Sequence, residues 1–302
     1  MAKDPDRIIY LPNRREVLIK GMAGALALVG TFSRTGTVFA GSPGVAHGET
    51  PGLEEGPFWV DGMPERVDVR LDSTTGVYQP GLPLYLGLTV SQLSDTAPYT
   101  ITPLAGAKVD IWSCNPGGLY SAEASQGTTG TDFLRGYQIT SGHGVVEFLT
   151  LYPGWYSGRT LHVHIRVRTY DESGTVTYDL ATQLFFDESV TAQVYAQQPY
   201  SARAASRDTY NVTDRVFTGG SYNGSPEADA GDYTLMTLAN DGSHIMASMH
   251  IVVDLSDTAN EDPTGGTEGG APSGGGGTPP GGGGTPPGGG GTPPGGGGGS
   301  SA

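Results

Sequence analysis

Two histidines, His162 and His164, stand one residue apart in the run Leu161-His162-Val163-His164-Ile165-Arg166-Val167. The alternation is strict: Leu161, Val163, Ile165 and Val167 share one face of an extended strand, and His162, His164 and Arg166 share the other. Side chains in a strand repeat every two residues, so both imidazoles project to one side, one pleat apart. That spacing lets both bind one metal ion through ring nitrogens, although the pair alone is also compatible with solvated or hydrogen-bonded histidines. Just upstream lies Tyr152-Pro153-Gly154-Trp155-Tyr156-Ser157-Gly158-Arg159. Its proline and glycines mark a turn that feeds the histidine strand and presents Tyr156 and Arg159 beside it. A second tyrosine, Tyr120, ends the turn Asn115-Pro116-Gly117-Gly118-Leu119, where a lone tyrosine ordinarily covers the edge of a core.

The elements that must hold these residues read as strands. Leu82–Val90, Ala107–Trp112, Gly144–Leu151, Leu161–Val167, Thr175–Leu180 and Ile245–Leu255 are short runs rich in Val, Ile, Leu, Tyr and Phe, separated by Gly, Pro, Asp, Asn and Ser. This patterning predicts one all-β sandwich or barrel with long loops. Ser189–Ala205 is the place for a short helix or an irregular excursion, interrupted by Pro199.

The two ends of the chain are set apart by composition. Arg14-Arg15 precedes an apolar run from Met22 to Val29, and Val38-Phe39-Ala40 fits a small-residue cleavage site. Residues 1–40 therefore read as a twin-arginine export signal, its apolar run too short for a spanning helix of about 20 residues, with an uncleaved amphipathic anchor as the alternative. Cleavage would leave no stable membrane insertion and place the protein outside the cell or at its surface. Residues 41–262 form the expected folded domain, and residues 263–302 a tail with three copies of GGGGTPP from Gly274, Gly281 and Gly288. Such a tail has nothing apolar to bury and is expected to be disordered.

The net charge of −15 becomes −18 without residues 1–40, which hold six Lys or Arg against three Asp or Glu. Lys108 is the one lysine beyond them. So acidic a chain argues against nucleic acid or an anionic membrane as partner. A single cysteine, Cys114, excludes an intrachain disulfide and reads as a small buried hydrophobe.

Taken together, several segments carry a family resemblance. They are Glu55-Gly56-Pro57-Phe58, VDIWSCNPGGLYS from Val109, FLRGYQIT from Phe133, YPGWYSGRTLHVHIRV from Tyr152, ATQLFF from Ala181 and RDTYNVTDRVF from Arg207. In combination they resemble the intradiol ring-cleavage dioxygenases, the group of the catechol 1,2- and protocatechuate 3,4-dioxygenases, and most of all their exported single-domain bacterial members. The resemblance implies a β-sandwich of two sheets with long active-site loops. It implies a non-haem Fe(III) held by Tyr120, Tyr156, His162 and His164. It further implies a catechol substrate opened with O2 to a muconate-type diacid, with Tyr156 displaced by substrate and acting as base. Arg159 would steady negative charge on the substrate, and Gln183 would support that arginine. Phenolates are hard anionic ligands that suit a ferric ion, whereas zinc or copper sites more commonly show cysteine or a third histidine.

Two departures bear on these expectations. The spacing from His162 to Gln183 is longer than in the cytosolic enzymes of the family, with Asp171–Gly174 as the inserted turn. The helical dimerisation segment of those enzymes has no counterpart, so a monomer or weak oligomer is expected. Rival readings are a non-catalytic metal- or aromatic-binding surface module on the same sandwich, and a copper protein using the histidine pair. His47, His143, His244 and His250 have no partner at ligand spacing, and Trp59, Trp112 and Trp155 read as packing or cavity-wall residues. Asn211-Val212-Thr213 fits a glycosylation sequon, discounted because the leader is of prokaryotic type.

Overall fold

Leu84, Leu86, Leu88 and Val90 alternate along one strand and Val163, Ile165 and Val167 along another, and all seven are buried in one apolar cluster. The computed structural model describes residues 37–39, 49–94, 99–219, 229–240 and 244–256. The expected leader apart from Thr37–Phe39, His47 and the tail from residue 263 lie outside them.

The strands form two sheets, and the molecule is an all-β sandwich. One sheet contains β1 (Thr37–Phe39), β2 (Pro83–Leu93), β3 (Ile101–Pro103), β6 (Val145–Leu151), β9 (Thr237–Asn240) and β10 (Ile245–Val253). Its order is β1-β9-β10-β2-β3. β2 pairs in parallel with β10 along one edge, and antiparallel with β6 and then β3 along the other. The second sheet, β4 (Lys108–Trp112), β5 (Arg135–Ile139), β7 (His162–Tyr170) and β8 (Val176–Phe185), runs β5-β4-β7-β8 and is antiparallel throughout. Val109, Ile111, Leu180 and Leu184 join the same buried cluster from this sheet. Each fully buried aliphatic side chain stabilises the fold by about 1.5–3 kcal/mol.

The six strands read from the sequence are present. β8 runs further than its expected end at Leu180, so Gln183 lies within it. The strands β3, β5 and β9 were not expected. They are short, and their residues are polar, glycine-containing or exposed, so they lack the apolar alternation that marks a half-buried strand. Asp171–Gly174 is the turn between β7 and β8, closed by the Gly174 amide donating to the Asp171 carbonyl at 3.0 Å. The expected excursion begins as α1 (Glu188–Tyr195), capped by the Asp187 carboxylate, which accepts from the Ser189 and Val190 amides. A four-residue helix, α2 (Ala230–Tyr233), precedes β9. Among the described residues no helix is long and apolar enough to cross a membrane.

The outer face of the second sheet is the one that matters for function. Trp112, His164 and Gln183 stand opposite one another across β4, β7 and β8, and His162 stands opposite Phe185. Loops from residues 53–62, 113–123 and 152–160 cover this face, which is why His162 and His164 are buried although they point away from the core.

Candidate metal centre

The histidine strand does what its alternation requires: both imidazoles lie on one face, their Nε2 atoms 3.0 Å apart. The Tyr120 hydroxyl lies 3.4 Å and the Tyr156 hydroxyl 3.3 Å from His162 Nε2. Four donor atoms from three segments thus converge. His162 Nδ1 sits 2.7 Å from the Thr160 carbonyl. A carbonyl only accepts, so Nδ1 carries the proton and Nε2 turns its lone pair toward the cluster.

Burial sets the charge state of all four groups. It drives His162 down to about 3 and His164 well below its ordinary value. It pushes Tyr156 up to about 12 and Tyr120 well above the usual phenol value. At neutral pH the cluster therefore consists of two neutral imidazoles and two phenols that do not ionise unaided.

This set fits a hard, strongly acidic cation. Bonds of about 2 Å to one ion place neighbouring donor atoms roughly 3 Å apart, and the separations here are 3.0–3.4 Å. A multivalent ion would supply the driving force to deprotonate the buried phenols. Among the described residues no group of three or more His, Cys, Asp or Glu gathers at metal-binding range. The phenols are what complete a ligand set here.

The two tyrosine-bearing loops are interlocked through their backbones. A Cβ on Gly118, where φ is +85°, would collide with the Trp155 carbonyl oxygen, and one on Gly154 would collide with the Asn115 carbonyl oxygen. Each loop therefore carries a glycine where the other's backbone passes, and only glycine permits that approach. Phe58 adds a third wall, stacked on Tyr120 with ring centroids 4.3 Å apart and edge-on to Tyr156 at 5.9 Å. Tyr120 has no exposed surface, whereas Tyr156 is partly exposed beside the exposed Ser157 and Gly158.

Arg159 and Gln183 meet as expected: the guanidinium donates through Nη2 to the Gln183 side-chain oxygen. Gln183 in turn donates to the Glu54 carbonyl at 2.7 Å. The arginine also donates through Nε to Asp214 at 2.9 Å and lies 3.6 Å from the Glu54 carboxylate.

Several supporting residues were not assigned a role from the sequence. Asp214 is fully buried and accepts from Arg159, from the Thr160 amide and from the Val216 and Phe217 amides. A buried arginine needs such a partner, and an acidic residue within the RDTYNVTDRVF segment was the available signal. Arg135, also buried, donates to Ser121 and to the Phe58 carbonyl, tying the Tyr120 loop to the Phe58 loop. Burial lowers its guanidinium to about 10. Gly56 places its backbone against the His164 ring, where a Cβ would lie 3.3 Å from Cε1. Among the described residues the other histidines stay apart from the cluster: His143 is exposed, and His250 bonds to Ser91. Cys114 is buried, and burial pushes its thiol up to about 12. Asn211 is buried with its amide donating to the Phe186 carbonyl, which leaves the sequon no accessible acceptor.

Solved structures share this fold. An intradiol ring-cleavage dioxygenase from Tetranychus urticae is 26% identical, with a TM-score of 0.56 over 69% of this chain and 96% of that one. A second dioxygenase is 26% identical, with a TM-score of 0.55 over 69% of this chain and 95% of its own. The dioxygenase domain of a carbohydrate-binding fusion protein from Streptomyces sp. SirexAA-E is 26% identical, with a TM-score of 0.46 over 68% and 99%. No family profile and no curated protein matches the sequence.

Proposed function

Starting from a chain that belongs to the intradiol ring-cleavage dioxygenases, we propose that it is an exported ferric enzyme opening catechol-type rings with O2 to muconate-type diacids. The observation that carries this reading is the gathering of the Tyr120 and Tyr156 hydroxyls and of His164 Nε2 within 3.0–3.4 Å of His162 Nε2, in a site that also holds the buried Arg159.

Ferric iron, held by Tyr120, Tyr156, His162 and His164, would supply Lewis acidity and a template for the two catechol oxygens. The protein does the rest. Tyr156, the partly exposed phenol, sits where a substrate can reach it, and its oxygen, a phenolate once the cation has taken its proton's place, would accept a proton from the incoming catechol and leave as the neutral phenol. Tyr120, stacked beneath Phe58 and fully buried, stays in place. Arg159 holds a fixed positive charge against the negative charge that develops on the ring, and Asp214 and Gln183 fix its orientation. Phe58, stacked on Tyr120 and edge-on to Tyr156, supplies an apolar wall that would keep water from the reacting ring.

The Arg159–Gln183–Glu54 chain favours turnover over a binding module, because metal retention alone has no need of a buried guanidinium beside the ligands. Export rests on the Arg14-Arg15 leader and on a fold that depends on no disulfide. The test is direct. The purified protein loaded with iron is expected to be wine-red, to consume O2 with catechol and to release a ring-opened diacid. Red protein that consumes no O2 across a panel of substituted catechols would overturn the catalytic reading, and colourless protein proven to bind no iron would overturn the ferric one. Fractionation of cells expressing the full chain and an Arg14→Lys/Arg15→Lys variant tests export, which requires that the variant stay inside.

A further inference from the structure

The two histidines are held by different physics. His162 is oriented by a hydrogen bond from Nδ1 to the Thr160 carbonyl at 2.7 Å. His164 Nδ1 is buried and has no hydrogen-bond partner among the described residues. Its ring lies instead parallel to the Trp112 indole, with centroids 4.7 Å apart and planes 5° from coplanar. The backbone dictates the pairing, since Trp112 stands directly opposite His164 in the β4–β7 register.

We propose that Trp112 is a positioning residue that fixes by stacking the one imidazole whose Nδ1 no hydrogen bond anchors among the described residues. The inference rests on the ferric reading of the cluster. Metal-binding histidines ordinarily anchor the ring nitrogen not used for the metal to a carboxylate, carbonyl or water. Here that anchor exists for His162 alone. Trp112 Nε1 also makes no hydrogen bond among the described residues, so the indole acts through its face.

The indole is braced in turn. Trp59 packs against it at 4.7 Å and 59°. The guanidiniums of Arg166 and Arg168 lie 4.7 and 5.2 Å from the Trp59 ring centroid. Arg166 is held by Asp179 and Glu55, and Arg168 by Asp110 and Asp61. Gly56 closes on Cε1 of the same imidazole. The aromatic column thus runs from a largely buried ion-paired cluster to a single side chain of the metal centre.

The experiment uses the full chain, prepared without iron and then titrated with ferric ion in competition with a chelator, with the electron paramagnetic resonance line shape as second readout. Trp112→Leu keeps apolar bulk and removes the ring, while Trp112→Phe keeps a stacking face. Trp112→Leu is expected to lose roughly tenfold in iron affinity and to broaden the resonance, and Trp112→Phe to restore both. Equal affinity and line shape in Trp112→Leu would overturn the proposal, as would a Trp112→Phe protein as weak as the leucine variant. Should Trp112→Leu fail to fold, Trp59→Leu removes the brace at a partly exposed position. A smaller loss in the same direction is then expected, and no change in affinity counts against the proposal. If the parent chain itself binds no iron, it is the ferric reading that falls.

Discussion

Asp214 accepts hydrogen bonds through one carboxylate oxygen from two adjacent residues, Arg159 Nε at 2.9 Å and the Thr160 amide at 2.7 Å, and has no exposed surface. The pair is unequal. Removing the carboxylate leaves a buried guanidinium with the neutral Gln183 oxygen and a partly exposed Glu54 carboxylate 3.6 Å away, whereas removing the guanidinium leaves Asp214 with three backbone donors. Asp214→Ala is therefore expected to cost about 3–5 kcal/mol in urea denaturation, and Arg159→Ala distinctly less. Equal losses would show that the network does not carry stability in this direction.

Arg159→Ala is also expected to bind iron like the parent while turnover falls roughly 100- to 1,000-fold, the magnitude of losing one donor to developing charge. Its nearest polar partners are Asp214, Gln183 and Glu54, none of them a proposed ligand. Iron analysis alongside O2 uptake separates the two effects. Loss of iron in this variant would contradict the role given to Arg159.

The two tyrosines should respond differently to loss of the hydroxyl. Tyr156 is partly exposed, so water can occupy the place its oxygen leaves, and Tyr156→Phe is expected to keep iron with a shifted colour. Tyr120 is fully buried beneath Phe58. No water reaches that position, and Tyr120→Phe is expected to purify with little iron. Visible spectra and iron per chain read out the contrast, and the reverse ordering would argue that the entry side has been misassigned.

Gly154→Ala tests the interlock of the two tyrosine loops. Its Cβ would meet the Asn115 and Pro116 carbonyl oxygens, which are backbone atoms and cannot rotate away. About 1–3 kcal/mol of destabilisation is expected from such overpacking, together with weaker iron binding. Gly158→Ala is the comparison, because nothing lies within 4 Å of that position and its substitution adds only the strain of a positive φ, +85°, which Gly154 does not have. A Gly154→Ala protein that binds iron as the Gly158→Ala protein does would refute the coupling.

Acid should act through Asp214. Burial alone would push its carboxyl up, but the Arg159 guanidinium and the backbone donors hold it below the usual carboxylate value. The folded value thus lies below the unfolded one of about 3.9. Its contribution is present above about pH 4 and is lost as the pH falls through the lowered folded value. Asp214→Asn should therefore show a shallower fall of stability below about pH 4 than the parent. Parallel acid limbs for the two proteins would exclude Asp214 as their source.

Much of this centre was legible in the residues themselves. Strict alternation in Leu161–Val167 placed both imidazoles on one face and the glycine- and proline-marked turn set Tyr156 beside them, whereas Tyr120 read locally as a core-edge residue and entered the ligand set only through the family resemblance. What could not be read was long-range. Asp214 matters because it meets a guanidinium 55 residues away, and no local pattern announces such a meeting. Trp112 read as packing because nothing in VDIW says which ring stands across the strand. β5 escaped notice because Arg135 and Gly136 break the apolar pattern, yet that arginine ties two of the site's loops together. Local periodicity reports a strand's faces, and register reports its neighbours.

The mutual passage of Gly118 and Gly154 also has a consequence in time. Asn115 follows β4 of one sheet and Gly154 follows β6 of the other, so the approach of their backbones depends on both sheets being in place. A newly made chain accordingly offers no prearranged cradle for a ferric ion, only scattered phenols and a flexible pair of imidazoles. On the ferric reading the cation would be acquired late, from whichever compartment the chain has folded in. If the Arg14-Arg15 leader directs the twin-arginine export proposed above, that compartment would be the cytoplasm, and the iron would travel out as cargo inside the finished protein.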